Sequence, residues 1–230
     1  MHFDSCLTTT EVLAVFSEEI IARDGCIRDT YHDGRRLFLR SVLPCVEQVR
    51  PGDRVQGGVA LKATDEQVGI YPYVFREVCR NGAIMAETLA VRSITDIACL
   101  EPEAVSRAIR EGVEACCAPE VFMHSVRRIR GACNEPVARS LNFLAMISRL
   151  HSGTRKSLLR QIMKRLFDDG DQSQFGLANA ITSVARDTQD PELRWNLEEL
   201  GGGIAIRVVP TAPMDSGQAT AEVCDEWVEV

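Results

Sequence analysis

The sequence predicts an α+β fold, with an antiparallel, strand-rich N-terminal half over about residues 26–94 packed with a helical C-terminal half over about 101–200. Three observations carry that reading. Apolar residues alternate with a two-residue beat between turn dipeptides in the first half. Apolar residues recur at helical spacing in the second. Strands come first and helices later, which separates α+β from an alternating α/β fold.

Before the strands, Thr8-x-x-Glu11 precedes Val12, Phe16 and Ile20, a capping box opening an amphipathic helix that stops near Gly25. "CIRDTY" and "RRLFLRSVL" flank Asp33-Gly34, a hairpin turn in which both central residues take positive φ. Pro51-Gly52-Asp53 turns the chain into "RVQGGVALKAT", where Val55, Val59 and Leu61 keep the strand beat. Gly57-Gly58 interrupts it, as a bulge or a close backbone approach would. "VGIYPYVFREVCRNGAIM" predicts an extended start, a short helix or irregular piece, a turn at Asn81-Gly82, and a strand at 83–94.

From Pro102 the period is helical, through Val105, Ile109, Val113 and Cys116. Further helices are expected after Asn134-Glu135-Pro136, Thr154, Ser173 and Asp190-Pro191, the last a short one ended by Gly201-Gly202-Gly203. A strand "IAIRVV" follows. Residues 1–209 read as one domain and 210–230 as a flexible acidic tail.

The apolar fraction of 45% with 26% charged residues suits a globular core. No run approaches the ~18 apolar residues of a membrane helix. "MHFDSCLTTTEVL" lacks the features of a signal peptide, so the expected setting is cytoplasmic, without membrane partners. Nine cysteines, an odd number without any C-x-x-C pair, read as buried free thiols. A zinc set of Cys116, Cys117, His124 and Cys133 fits no usual ligand spacing and ranks below that reading. No cofactor motif is present. Gly201–Gly203 follows a helix and precedes a strand, the wrong order for a phosphate loop.

The net charge of −7 hides an asymmetry. Residues 121–165 carry ten Lys and Arg against Glu135 alone, whereas residues 1–120 carry 13 against 19 acids and residues 166–230 carry 3 against 13. Lys156, Arg160 and Lys164 repeat every four residues on one helical stripe, and Arg127, Arg128 and Arg130 precede them. Such a surface would bind the phosphate backbone of a nucleic acid, with Tyr71 or Tyr73 stacking on bases. The plainer reading is a solvated face whose charges pair with acids elsewhere, and the two weigh about evenly. A second constellation is Asp53, Cys79, Asn81, Asn179 and Thr182, polar residues that would make an enzyme site if one cleft held them. A cysteine nucleophile needs a base or an electropositive setting, and no histidine neighbours Cys79 in sequence. A structural turn is the favoured reading there.

"VRPGDRVQGGVAL", "FREVCRNGAI" and "FGLANAITSVARDTQDPELRWNLEELGG", taken together over roughly residues 10–205, resemble a phage/plasmid-like family filed as a domain of unknown function, number 932 in that series. The resemblance places Cys79, Asn81 and Gly82 in one family element and Asn179, Ala180 and Thr182 in another. It implies a bacterial, phage or plasmid setting but no established activity. Lys62-Ala63-Thr64-Asp65 departs from the Asn-Ser-like pair expected there. The element order also looks like that of single-strand-annealing recombinases, an analogy of fold alone. Three expectations result: a nucleic-acid-binding protein, with single-strand binding or annealing in replication or recombination of mobile DNA as its finer form; an enzyme around Cys79, Asn81 and Asn179; or an oligomerising structural protein. In the first, the acidic tail would contact a partner or the basic stretch.

Overall fold

The computed structural model describes residues 7–137 and 155–206. Helix α1 (Thr9–Ile21) starts at the capping box: the Glu11 amide donates to Thr8 Oγ1, and the Thr8 amide donates to Glu11 Oε2 at 2.7 Å. Seven strands follow: β1 (Cys26–His32), β2 (Leu37–Val42), β3 (Val46–Arg50), β4 (Asp53–Ala63), β5 (Gln67–Arg76), β6 (Asn81–Ile84) and β7 (Arg92–Thr95). After a short 3₁₀ turn come α2 (Pro102–Cys117), α3 (Pro119–Ala132), α4 (Arg155–Asp169), α5 (Gln174–Arg186) and α6 (Pro191–Ile206). The chain is α+β, as its element order predicts.

All strand pairs are antiparallel. β4 and β5 form the central hairpin, paired from Val55↔Arg76 to Ala63↔Val68. The other edge of β4 is shared, β3 pairing with its first half and β2 with its second, and β1 flanks β2. The far edge of β5 is likewise divided between β6 and β7.

Strand alternation gives the sheet two unlike faces. On the first, Val59, Leu61, Val68 and Ile70 bury against α1 (Val12, Phe16, Ile20) and α2 (Val105, Ile109, Val113). Further along it, Val55 and Val74 join Met85 and the apolar sides of α3 to α6. The second face is aromatic: Phe38, Ala60, Tyr73 and Phe75 pack with Trp195 of α6. Cations lie over these rings, Arg28 over Phe75 at 5.0 Å, Arg40 over Trp195 at 5.6 Å and Lys62 over Phe38 at 5.5 Å.

Several elements differ from expectation. The first hairpin turn is centred one residue late: Asp33 bonds back to Arg36, and Gly34 (φ +90°) is the sole residue of that turn with positive φ. Gly57-Gly58 is no bulge. A Cβ on Gly58 would lie 2.0 Å from Ser41 O, so the pair lets neighbouring backbone come close. Asn81-Gly82 is not a turn but the start of β6; the piece between β5 and β6 is the irregular one, a turn at 77–80, and not a helix. The strand expected at 83–94 is two short ones. α3 carries no expectation of its own, and the helix expected after Pro136 falls at 138–154, outside the described residues.

The largest departure is at Gly201–Gly203, which do not end a helix. α6 runs through them to Ile206, so the expected strand at 204 is helical there. A Cβ on Gly202 would sit 2.0 Å from Ile84 O, and one on Gly201 would sit 2.5 Å from Thr182 Cγ2. The glycines let α6 press onto β6 and α5, and that packing outweighs their poor helix propensity.

Candidate functional site

β2 is buried at every position, yet Arg40 sits in it. A guanidinium 2% exposed needs partners, and two elements supply them. Arg40 Nε donates to Glu198 Oε2 of α6 at 2.5 Å, and Nη1 donates to Asp29 Oδ2 of β1 at 3.1 Å. Arg194, one turn before Glu198, donates from Nε to Glu198 Oε1 at 3.1 Å and bridges Asp29 at 3.0 Å. Glu198 is itself 2% exposed, and burial raises its pKa against the opposing pull of Arg40 and Arg194.

This network floors a cleft of about 330 Å³ on the aromatic face of the sheet. Five arginines line it: Arg28 of β1, Arg40 of β2, Arg80 of the β5–β6 turn, Arg186 of α5 and Arg194 of α6. Two acids, Asp29 and Glu198, oppose them, and both are already shared between Arg40 and Arg194. Arg28, Arg80 and Arg186 are exposed. Arg186 pairs with Asp187 at 3.1 Å and donates to Cys79 O; Arg28 has Phe75 beneath it. The surplus is cationic. Arg40 Nη2 and Asn81 Oδ1, on two buried residues of the lining, are without a hydrogen-bond partner among the described residues.

Asn81 ties this cleft to the polar constellation expected around Cys79. Its Nδ2 donates to Thr182 Oγ1 at 2.6 Å and to Asn179 O at 3.3 Å. Opposite it in the strand register, Arg76 holds Asp53 through two bonds of 2.7 and 2.6 Å and donates to Cys79 Sγ at 3.0 Å. Asp53 and Cys79 are thus joined through Arg76, and Asn81, Thr182 and the Asn179 carbonyl form a second hydrogen-bonded group, the two meeting where Arg76 and Asn81 pair in the strand register. Their character is structural: Asp53 is 4% exposed and bidentate to Arg76, and Arg50 bridges it to Asp171. Burial works to lower the Arg76 pKa, but Asp53 outweighs it and the net shift is upward. The hollow beside Arg76, Asn81, Asn179 and Thr182 is about 20 Å³, room for about one water. Among the described residues no base hydrogen-bonds Cys79; its sulfur accepts from the Arg76 guanidinium, which is itself held by Asp53.

Among the described residues the basic stretch does not form one free cationic face. Arg128 Nε donates to Ile206 O at 2.7 Å, at the last residue of α6, and Arg130 holds Gln48 O and Glu47 of β3. Lys164 pairs with Asp168 and Arg165 with Asp187. Arg127, Lys156 and Arg160 are exposed, and Arg139 and Arg149 lie outside the described residues. Tyr73 cannot stack on a base: it is 4% exposed, and burial drives its pKa up. Tyr71 is half-buried, edge-on to Trp195.

Among the described residues no group of three or more His, Cys, Asp or Glu could hold a metal, so the zinc set is not assembled. Cys116 is buried, as expected of a free thiol, but Cys26, Cys45 and Cys99 are exposed. Cys45, Cys116 and Cys117 line an apolar hollow of about 240 Å³, and burial pushes the Cys117 thiol up to about 11. No helix among the described residues is long and apolar enough to cross a membrane.

Comparison with family models, with curated proteins and with solved structures finds no match to the chain. The phage/plasmid resemblance therefore stands as an expectation. Sequence reasoning missed the arginine cleft because its five cations come from five elements, three of them within the net-acidic first 120 residues. One signal was present: Arg40 inside "LFLRSV", a charge in a strand with apolar residues on both faces.

Proposed function

We propose that this protein binds single-stranded nucleic acid through its phosphates, seating one nucleotide unit in the arginine cleft. The surplus of three arginines, Arg28, Arg80 and Arg186, beyond the two that hold Asp29 and Glu198 around a 330 Å³ cleft is the observation that carries the reading. Guanidinium groups suit phosphate because they present paired donors to its oxygens. The volume is at the low end for a ligand pocket, enough for one nucleotide and too small for a duplex. Exposed Arg127, Lys156 and Arg160 would add weaker phosphate contacts along a longer strand. The resemblance to a phage/plasmid-like family suits a role in replication or recombination of mobile DNA.

A mobility shift with a labelled oligo-dT and with a duplex of the same length, each at two salt concentrations, tests this. The single strand should shift at lower protein concentration than the duplex, and the Arg28→Glu variant should lose most of the shift. Equal retention of both probes, or an Arg28→Glu variant that shifts the strand as the unaltered chain does, would refute it.

A further inference from the structure

The turn from β5 to β6 places its residues one position away from where backbone preference would put them. Arg76 and Asn81 are the last paired residues, so the loop is 77–80, and it closes through Arg80 with φ +54°. In that left-handed region Cβ crowds the backbone, and loops that need it commonly use Gly or Asn. The sequence supplies both types one and two residues later, as Asn81 and Gly82.

Both are committed inside the fold. The Asn81 amide holds Thr182. A Cβ on Gly82 would lie 1.8 Å from the Tyr73 hydroxyl, so that position admits no side chain while Tyr73 stays where it is. The left-handed position therefore falls to an arginine. Arg80 is exposed and its side chain forms no ion pair or hydrogen bond among the described residues. Its neighbour Cys79, by contrast, is tied twice, through its carbonyl by Arg186 and through its sulfur by Arg76. The turn is thereby fixed with the Arg80 side chain on the rim of the cleft.

Resting on the phosphate-binding reading, we infer that Arg80 is the ligand-contacting arm of the site, its strained backbone kept because the guanidinium serves a phosphate and not the fold. Backbone strain of this kind persists where the surroundings over-determine it and the side chain has a task. Arg28 and Arg186, which line the same cleft, would hold the neighbouring oxygens.

The Arg80→Gly variant separates the two roles, because glycine relieves the strain while removing the charge. It should melt at or above the temperature of the unaltered chain, yet bind labelled oligo-dT about tenfold more weakly by fluorescence anisotropy. Arg80→Lys should recover much of that loss. Unchanged affinity in Arg80→Gly would overturn the inference, and so would a clear fall in its melting temperature, which would assign Arg80 to the fold. A thermal-shift titration with inorganic pyrophosphate keeps this distinct from the strand reading. If the unaltered chain ignores oligo-dT but is stabilised by pyrophosphate, and Arg80→Gly loses that stabilisation, the arm stands and the strand reading fails. No response to either probe overturns both.

Discussion

Replacing Arg40 by Met should destabilise the fold by about 3–5 kcal/mol, the usual cost of removing one partner from a buried ion pair. The change removes the 2.5 Å bond to Glu198 and the 3.1 Å bond to Asp29. Glu198, 2% exposed, would keep Arg194 as its remaining partner in the network. For a chain of this length that corresponds to a fall of roughly 6–20 °C in melting temperature. The penalty should depend on pH with a definite sign. Burial already raises the Glu198 pKa, and losing Arg40 raises it further. A raised acid contributes stability that is present below its ordinary value, 4.5, and lost as pH rises through the folded value. The penalty should thus be larger at about pH 7 than at about pH 5. The double variant Arg40→Met/Glu198→Leu should recover most of the loss, since Asp29 and Arg194 still hold each other at 3.0 Å. Urea unfolding at both pH values measures all of this. A single variant costing under about 1 kcal/mol would show that the pair is solvated, and the reasoning about the cleft floor would fail.

Three further outcomes are expected. Gly202→Ala should lower the urea midpoint by the equivalent of about 1–3 kcal/mol, because the new Cβ meets Ile84 O; helix propensity alone predicts a gain of about 1 kcal/mol, so the sign decides between them. Burial works to raise the Asp171 pKa, but its bonds from Ser173 and Arg50 prevail and lower it. The stability it contributes is present above 3.8 and lost as pH falls through the folded value, so the gap between the unaltered chain and Asp171→Asn should narrow in acid titrations and hold steady at neutral pH. Lys156→Ala/Arg160→Ala should weaken oligo-dT binding less than Arg28→Glu does, as equilibrium anisotropy at one salt concentration would show.

The fold was legible where local chemistry acts alone. Thr8 and Glu11 announce α1, Pro51-Gly52 turns β3 into β4, and Ser173 caps α5 by accepting the Gly176 amide at 3.1 Å. It was illegible where a long-range contact overrides local preference. Gly201–Gly203 read as a terminator because the approach of Ile84, more than a hundred residues earlier, leaves no trace in the local pattern. Asn81-Gly82 read as a turn for the same reason. The polar set around Cys79 falls into two parts, Asp53 and Cys79 held by Arg76, and Asn81 held to Thr182 and the Asn179 carbonyl, a division that only the strand register of Arg76 and Asn81 explains. The cationic stretch misled because charge density in sequence says nothing of partners: Arg128 and Arg130 are spent on α6 and β3. Cations spread thinly over β1, β2, a turn and two helices made the denser site.

The salt dependence of oligo-dT affinity tests the cleft most directly. A plot of log affinity against log salt should be linear, with a slope near −0.7 for each phosphate neutralised. Arg28→Glu should make that slope shallower by about one phosphate or more, while Lys156→Ala/Arg160→Ala changes it less. A slope unaltered by Arg28→Glu, with affinity preserved at every salt concentration, would contradict the assignment.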